Sequence, residues 1–360
     1  MAGFWQKLQG NQTDESQQSD TTNATDSRPH ALVIGDIFTD AFIQLSEGSA
    51  KIIKEADGRE WLALPFGQKP PYDHVDIVRS VGPSPNAAVS MSRLGLDANL
   101  MAWVGDDATG KEAIEHLHEE GVATQSMVTE VGNKTSYWYV LRYGADRTML
   151  VRSEKYAYEW HDPAQTPSWI YLAYIGEDSW ELHEKLVGYM EQNPEVKLAF
   201  QPGTFHFEWG VEKLARVYSH SYIVIMNREE AADVTGKSLD SIHELASGLH
   251  ALGPKIVVIT DGPKGSYASY DGKVVTIPNY LDPAPPVDRT GAGDAFASTI
   301  VTSLALGRSM EAALLAAPIN SMNVVQKLGA QAGLLDQASI NDFIASAPAE
   351  YKVTELAEGA

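Results

Sequence analysis

The sequence predicts an α/β fold of three layers, helices on both faces of a mainly parallel sheet, with a small β-sheet projecting as a lid. Three observations carry this. Short apolar runs alternate with helix-like stretches along most of the chain, and alternation of that kind requires crossover connections between parallel strands. Residues 135–152 are different in kind, aromatic and β-branched on both sides of Gly144, and read as a hairpin. Of the 360 residues, 44% are hydrophobic, enough to bury a sizeable core.

The elements follow in order. Residues 1–29 read as a disordered polar tail: from Asn11 to Ser27 almost nothing is apolar, so ordering would gain little. Ala31–Gly35 is an apolar run ending in glycine, a buried strand. Residues 46–80 carry Pro65, Pro70 and Pro71 and allow only short strands. Ser84–Leu94 is helical and stops at Gly95; Asn99–Val104 is a strand; Thr109–Glu120 is a helix closed by Gly121. Beyond the hairpin, strands at 169–175, 196–200, 222–226 and 255–260 alternate with helices near 179–192, 240–251, 292–306 and 309–327. The domain is expected over 30–345, its lid drawn from parts of 41–80 and 135–152, with a C-terminal tail over 346–360.

Composition narrows the function. The net charge of −21 repels nucleic acid and anionic membranes, and neither is an expected partner. An anionic substrate would need a local positive site. There is no cysteine, which removes disulfides, thiolate nucleophiles and Cys-ligated metals and fits a cytoplasmic location. His116 and His118 stand two apart on a helix, facing different sides, so they do not read as a zinc pair. No apolar run approaches the roughly 20 residues of a membrane span.

The strongest chemical signal is Asp288-Arg-Thr-Gly291-Ala292-Gly293-Asp294-Ala-Phe296, followed by an apolar helix. Two glycines at a helix start leave amide groups bare, and those amides with the helix dipole favour an anion. An aspartate directly after them would repel a phosphate. It makes sense if Asp294 takes the proton of a hydroxyl attacking a phosphoryl group. An ordinary glycine turn is the plainer reading of a lone GxG.

That string, with Gly35-Asp-Ile-Phe-Thr-Asp40, Gly82-Pro-Ser-Pro-Asn86, Leu94-Gly95, Val104–Gly110, Asn227-Arg-Glu-Glu230 and Thr260-Asp-Gly262-Pro-Lys-Gly265, resembles the PfkB, or ribokinase-like, family of carbohydrate kinases from about Ala31 to Leu335. The resemblance implies a ribokinase-like fold and an ATP- and Mg2+-dependent phosphotransferase acting on a sugar or sugar-like alcohol. It implies Asp294 as base, with Gly291, Ala292 and Gly293 as anion hole. Asp40, Gly82 and Asn86 would hold the acceptor. Asn227, Thr260, Gly262, Gly265 and Asn320 would hold the nucleotide, and Glu230 a metal through water. Some relatives bind a monovalent cation between the loop at 327–331 and the segment holding Asp288, and some pair into homodimers through the lid. Pro83, Pro85 and Arg289 depart from the usual pattern. On the residues alone, Asn227 and Glu230 also form a capping box, and 260–265 is also a strand-to-strand turn.

Two other acceptor or function classes stay open at this point. The lid aromatics Tyr137, Trp138, Tyr139 and Tyr143 could stack a nucleoside base, and a sensor that kept the fold without catalysis would need no base at Asp294. A dinucleotide oxidoreductase is disfavoured because no GxGxxG follows the first strand.

Overall fold

The computed structural model describes residues 28–144 and 146–357. Nearly all of the polar tail expected at 1–29 lies outside them.

A nine-stranded sheet forms the body. Its six parallel strands are, in spatial order, Asp97–Met101, His30–Ile34, Trp169–Leu172, Lys197–Phe200, Ser221–Asn227 and Ile256–Thr260. Three antiparallel strands, Ser266–Tyr270, Lys273–Ile277 and Thr354–Glu355, extend the last edge. The parallel strands are buried almost throughout, as sheets covered on both faces must be. One apolar cluster packs the helices Pro83–Arg93, Ala292–Ala305 and Met310–Val324 on one face. A second, with Leu182, Leu186, Leu245 and Leu249, covers the other. This is the expected three-layer arrangement.

The lid is a separate four-stranded sheet in the order Asp146–Leu150, Tyr137–Tyr143, Phe38–Leu45, Tyr72–Val81. The hairpin lies where the sequence puts it. A short hairpin, Lys51–Lys54 with Glu60–Ala63, forms a sheet of its own. Because side chains alternate along a strand, the pairings Asp40↔Trp138 and Asp40↔Val78 put those residues on one lid face. Ala41↔Tyr139 and Ala41↔Ile77 occupy the other.

The first strand ends at Ile34, and Asp40 lies inside the first lid strand. One expectation is corrected. Residues 346–357, read as a tail, are docked: Tyr351 is buried and donates from its hydroxyl to the Leu315 carbonyl at 2.7 Å. Thr354–Glu355 then pairs with the sheet edge. Two residues of strand are too short to leave a period-2 signal in sequence.

Candidate active site

The helix Ala292–Ala305 begins at the carboxyl ends of the parallel strands. Gly291 caps it in the left-handed region, at φ 80°. A Cβ there would stand 2.4 Å from the Ala330 Cβ, so only glycine fits both the backbone and the space. The first helical bond runs from Ala295 N to the Gly291 carbonyl. The amides of Ala292, Gly293 and Asp294 therefore have no acceptor within the helix. Nothing lies within 4 Å of where a Gly293 Cβ would be, which leaves the amide edge open.

Asp294 is held beside this edge by two amide side chains. Asn86 Nδ2 donates to Oδ2 at 2.9 Å, and Gln201 Nε2 donates to Oδ1 at 3.2 Å. Burial raises the Asp294 pKa, and those two hydrogen bonds oppose the rise. The carboxyl is thus a stronger proton acceptor than a solvated aspartate, yet oriented by its partners. Behind them, Tyr171 donates to Gln201 Oε1. Gln331 Nε2 donates to Asn86 Oδ1 at 3.0 Å and to the Ser80 carbonyl at 2.6 Å, and its own Oε1 is 3.0 Å from His116 Nε2. Since an amide oxygen only accepts, His116 carries its proton on Nε2.

Asp40 is 4% exposed, and its Oδ1 has no hydrogen-bond partner. Burial pushes it up to about 7; Asp288 adds to the rise and Arg147 opposes it. An unpartnered buried acceptor is costly unless a ligand satisfies it. Gly82, at φ 126°, lets the chain pass Phe38 and the Asp36 carbonyl: a Cβ would stand 3.0 Å from the Phe38 ring and 2.8 Å from that oxygen. Phe38 in turn stacks on Trp138, centroids 4.1 Å apart.

On the other side of the Gly293 amides lies a cleft of about 740 Å³. Asn227, Thr260, Gly262 and Gly265 line it, together with Ala292, Gly293 and Arg289. The turn at 260–265 is both a strand-to-strand connection, with a 3-10 turn at Gly262–Lys264, and a wall of the cleft. Asn320 is a correction. It is fully buried, donating to Thr299 Oγ1 at 2.9 Å and accepting from Leu335 N at 2.9 Å. Pro318, Ser321, Met322 and Val325 face the cleft instead. Asn227 and Glu230 form the reciprocal capping box, with Glu230 Oε2 accepting from Asn227 N at 2.9 Å and Asn227 Oδ1 from Glu230 N at 2.8 Å. Glu229, not Glu230, lines the cleft. Among the described residues no three His, Cys, Asp or Glu side chains gather as a metal cage. The oxygen-bearing side chains Asn227 and Glu229 that line the cleft suit magnesium, which is usually held by one or two carboxylates and the substrate's phosphates.

Asp288 is buried at the foot of the same loop. Its Oδ1 accepts from Thr290 N, Thr290 Oγ1 and, at 3.0 Å, from Arg147 Nη1 of the lid; its Oδ2 accepts from Gly329 N at 3.1 Å. Three donors on Oδ1, one of them the Arg147 cation, and one on Oδ2 thus already satisfy most of this carboxylate.

The model of the pfkB family of carbohydrate kinases matches residues 76–337. The chain belongs to the pfkB family. This pfkB-family carbohydrate kinase is 27% identical over 280 residues to a ribokinase of Bacillus subtilis, spanning 73% of this chain and 87% of that one. It is 26% identical to a nucleoside kinase of Methanothermobacter thermautotrophicus over 71% of this chain and 81% of that one. The crystal structure of an Arabidopsis thaliana ribokinase complexed with ribose and ATP superposes with a TM-score of 0.70 at 18% identity, covering 88% of this chain and 99% of that one. An E. coli ribokinase II complexed with ATP and Mg2+ superposes at 0.68 and 18%, covering 89% and 99%. At these identities the superpositions establish the fold. Kinases of the pfkB family use ATP and Mg2+.

Sequence reading notes Gln201 at a strand end on the acceptor side and Gln331 at the end of the 327–331 loop but gives neither a site role, and it gives none to Arg147. Gln201 had a usable signal, a polar residue just past an apolar strand on the sheet's carboxyl edge, where ligands of open α/β sheets bind. Gln331 and Arg147 had none, since their partners lie more than a hundred residues away.

Proposed function

We propose that this pfkB-family kinase transfers the γ-phosphoryl group of ATP to an alcohol of a sugar or sugar-like acceptor, with Asp294 as base. The observation that carries the reading is the junction at Gly293: open amides face a triphosphate-sized cleft on one side, and the Asp294 carboxylate stands on the other. In this reading ATP lies along Thr260, Gly262 and Gly265, with Arg289 at the phosphates. The amides of Gly291, Ala292 and Gly293 stabilise charge on the transferring group. Asp40, Gly82 and Asn86 hold the acceptor. Its hydroxyl oxygen bonds to the γ-phosphorus, the bond to the β-bridging oxygen breaks, and the proton passes to Asp294. Magnesium, when bound with the nucleotide, neutralises phosphate charge; Asn227 and Glu229 offer it oxygens, and Glu230 acts through Asn227 and through water. No step runs through a monovalent cation.

A sugar suits the site better than a nucleoside. Tyr137 and Tyr139 are on the lid face opposite Asp40, Tyr143 bonds the Ala50 carbonyl, and Trp138 is already stacked on Phe38. None is free to stack a base over the acceptor. The deciding measurement is acceptor-dependent ADP release with ribose, fructose, a keto-deoxy sugar acid and adenosine. The reading requires turnover with at least one sugar and its loss, about a thousandfold or more, in Asp294→Asn with ATP affinity kept. Turnover with adenosine alone, or undiminished turnover in the variant, refutes it.

We also propose that the lid pairs two copies. Val75, Ile77, Tyr139 and Leu150 are exposed and share the lid face turned away from Asp40, and a shared apolar face of that kind is characteristic of an interface. Light scattering should give a dimer that Ile77→Lys dissociates; a monomeric parent protein would end the proposal.

A further inference from the structure

We infer that Arg147 is a positioning residue: carried by the lid, it supplies the positive charge at Asp288 and ties lid closure to assembly of the anion hole. The inference rests on the phosphotransferase reading above and deepens it.

The argument begins with Asp288. Its side chain is 4% exposed, while that of Arg147 is 39% exposed. A buried carboxylate without a counter-charge is strongly disfavoured. Its neutral donors, the Thr290 amide and hydroxyl and the Gly329 amide, come from the two loops that enclose Gly291. Gly291 is wedged against Ala330. The same carboxylate thus fixes both loops, and a group that holds this side chain in position also holds the amides of Gly291–Gly293 in place. Among the described residues only one donor to it is cationic, and that donor sits in a different sheet, on the strand Asp146–Leu150 of the lid.

Arg147 also shares its lid face with Asp40. Arg147 pairs with Arg142 and Met149 with Val140, and Trp138, Val140 and Arg142 alternate on the face of Asp40. A lid that closes on an acceptor at Asp40 therefore presents the guanidinium to Asp288 in the same motion. A lid that opens withdraws it, leaving Asp288 without its charge partner and the amide edge less fixed. The arrangement favours phosphoryl transfer to a bound acceptor over transfer to water. It also puts a protein cation directly on the Asp288 carboxylate.

Three measurements on the full chain test this. In kinetics, Arg147→Ala should lower kcat at least tenfold while the directly measured ATP affinity stays within twofold. It should also raise ADP released per product formed. Arg147→Lys should recover part of the loss. Exchanging KCl for tetramethylammonium chloride at constant ionic strength should change the parent rate less than twofold. In hydrogen exchange without any substrate, Arg147→Ala should speed exchange across 139–149 about tenfold and leave 223–226 unchanged. An unaltered kcat, equal losses in ATP affinity and kcat, or a fivefold or greater stimulation by potassium overturns the inference. Unchanged exchange in the lid overturns it even if no acceptor has been found, which separates its failure from that of the proposed function.

Discussion

On the side of Gly293 proposed for the nucleotide, the cleft draws on Gly262, Gly265 and Gly293 and on the turns that follow the strands Ser221–Asn227, Ile256–Thr260 and Lys273–Ile277. On the side proposed for the acceptor, a hydrogen-bonded chain of buried and half-buried side chains runs from His116 through Gln331, Asn86 and Asp294 to Gln201 and Tyr171. In the proposed reading main-chain shape carries phosphate recognition on the first side, and side chains from six distant segments carry the second. Backbone recognition tolerates exchange of any one side chain. A fully bonded polar network does not, because removing one member leaves its neighbours unsatisfied.

Gln331→Leu is the severest test of that contrast. It strips donors from Asn86 Oδ1 and the Ser80 carbonyl and an acceptor from His116, at about 1–3 kcal/mol for each buried group left unpaired. Asn86 then loses its fixed orientation toward Asp294. The expected result is a fall in kcat of roughly tenfold to a hundredfold, with the KM for ATP within threefold. Steady-state kinetics with both substrates varied decides it. Equal damage to the two substrates would erase the distinction between the halves.

The same contrast explains what could be read from sequence. The nucleotide half is made of local strings: the glycines of 260–265 and 291–293 stand next to each other in the chain, so their spacing carries the geometry. The central sheet was legible for a similar reason, as most of its parallel strands are built on one apolar run. The acceptor network was not, because Gln331 meets Asn86 across 245 residues and no local pattern encodes that meeting. Asn320 failed for a different reason. Its helix, Met310–Val324, is apolar on nearly every side and buried along much of its length, so periodicity could not say which residues face the cleft.

Asp40 sharpens the comparison through pH. Its pKa is raised from 3.8 to about 7, chiefly by burial. A carboxyl with a raised native pKa stabilises the fold below its unfolded pKa, and that contribution is lost as pH rises through about 7. The gap is on the order of 4 kcal/mol at most. Asp40→Asn should therefore raise the melting temperature of the substrate-free protein by several degrees near pH 8, by less than half as much near pH 5, and hardly at all below the unfolded pKa of 3.8. At that pH the KM for the acceptor should rise about tenfold, as an amide cannot accept from two hydroxyls with both atoms. A variant that is destabilised at pH 8, or that binds acceptor normally, would place Asp40 outside the acceptor site.

The smallest effect belongs to the cleft. Ser321 lines it and donates from its hydroxyl to the Ala292 carbonyl at 2.9 Å. That bond steadies the amide edge from the nucleotide side, as Asn86 steadies Asp294 from the other. Ser321 is only partly buried, so water can replace the lost donor in Ser321→Ala. The cost in stability should be about 1 kcal/mol, with the KM for ATP changed less than threefold and kcat less than twofold. Thermal melting and ATP titration of kinetics measure both. If this single hydrogen bond proved as important to kcat as the Gln331 network, the cleft would depend on side chains after all, and the main-chain account of phosphate recognition would have to give way.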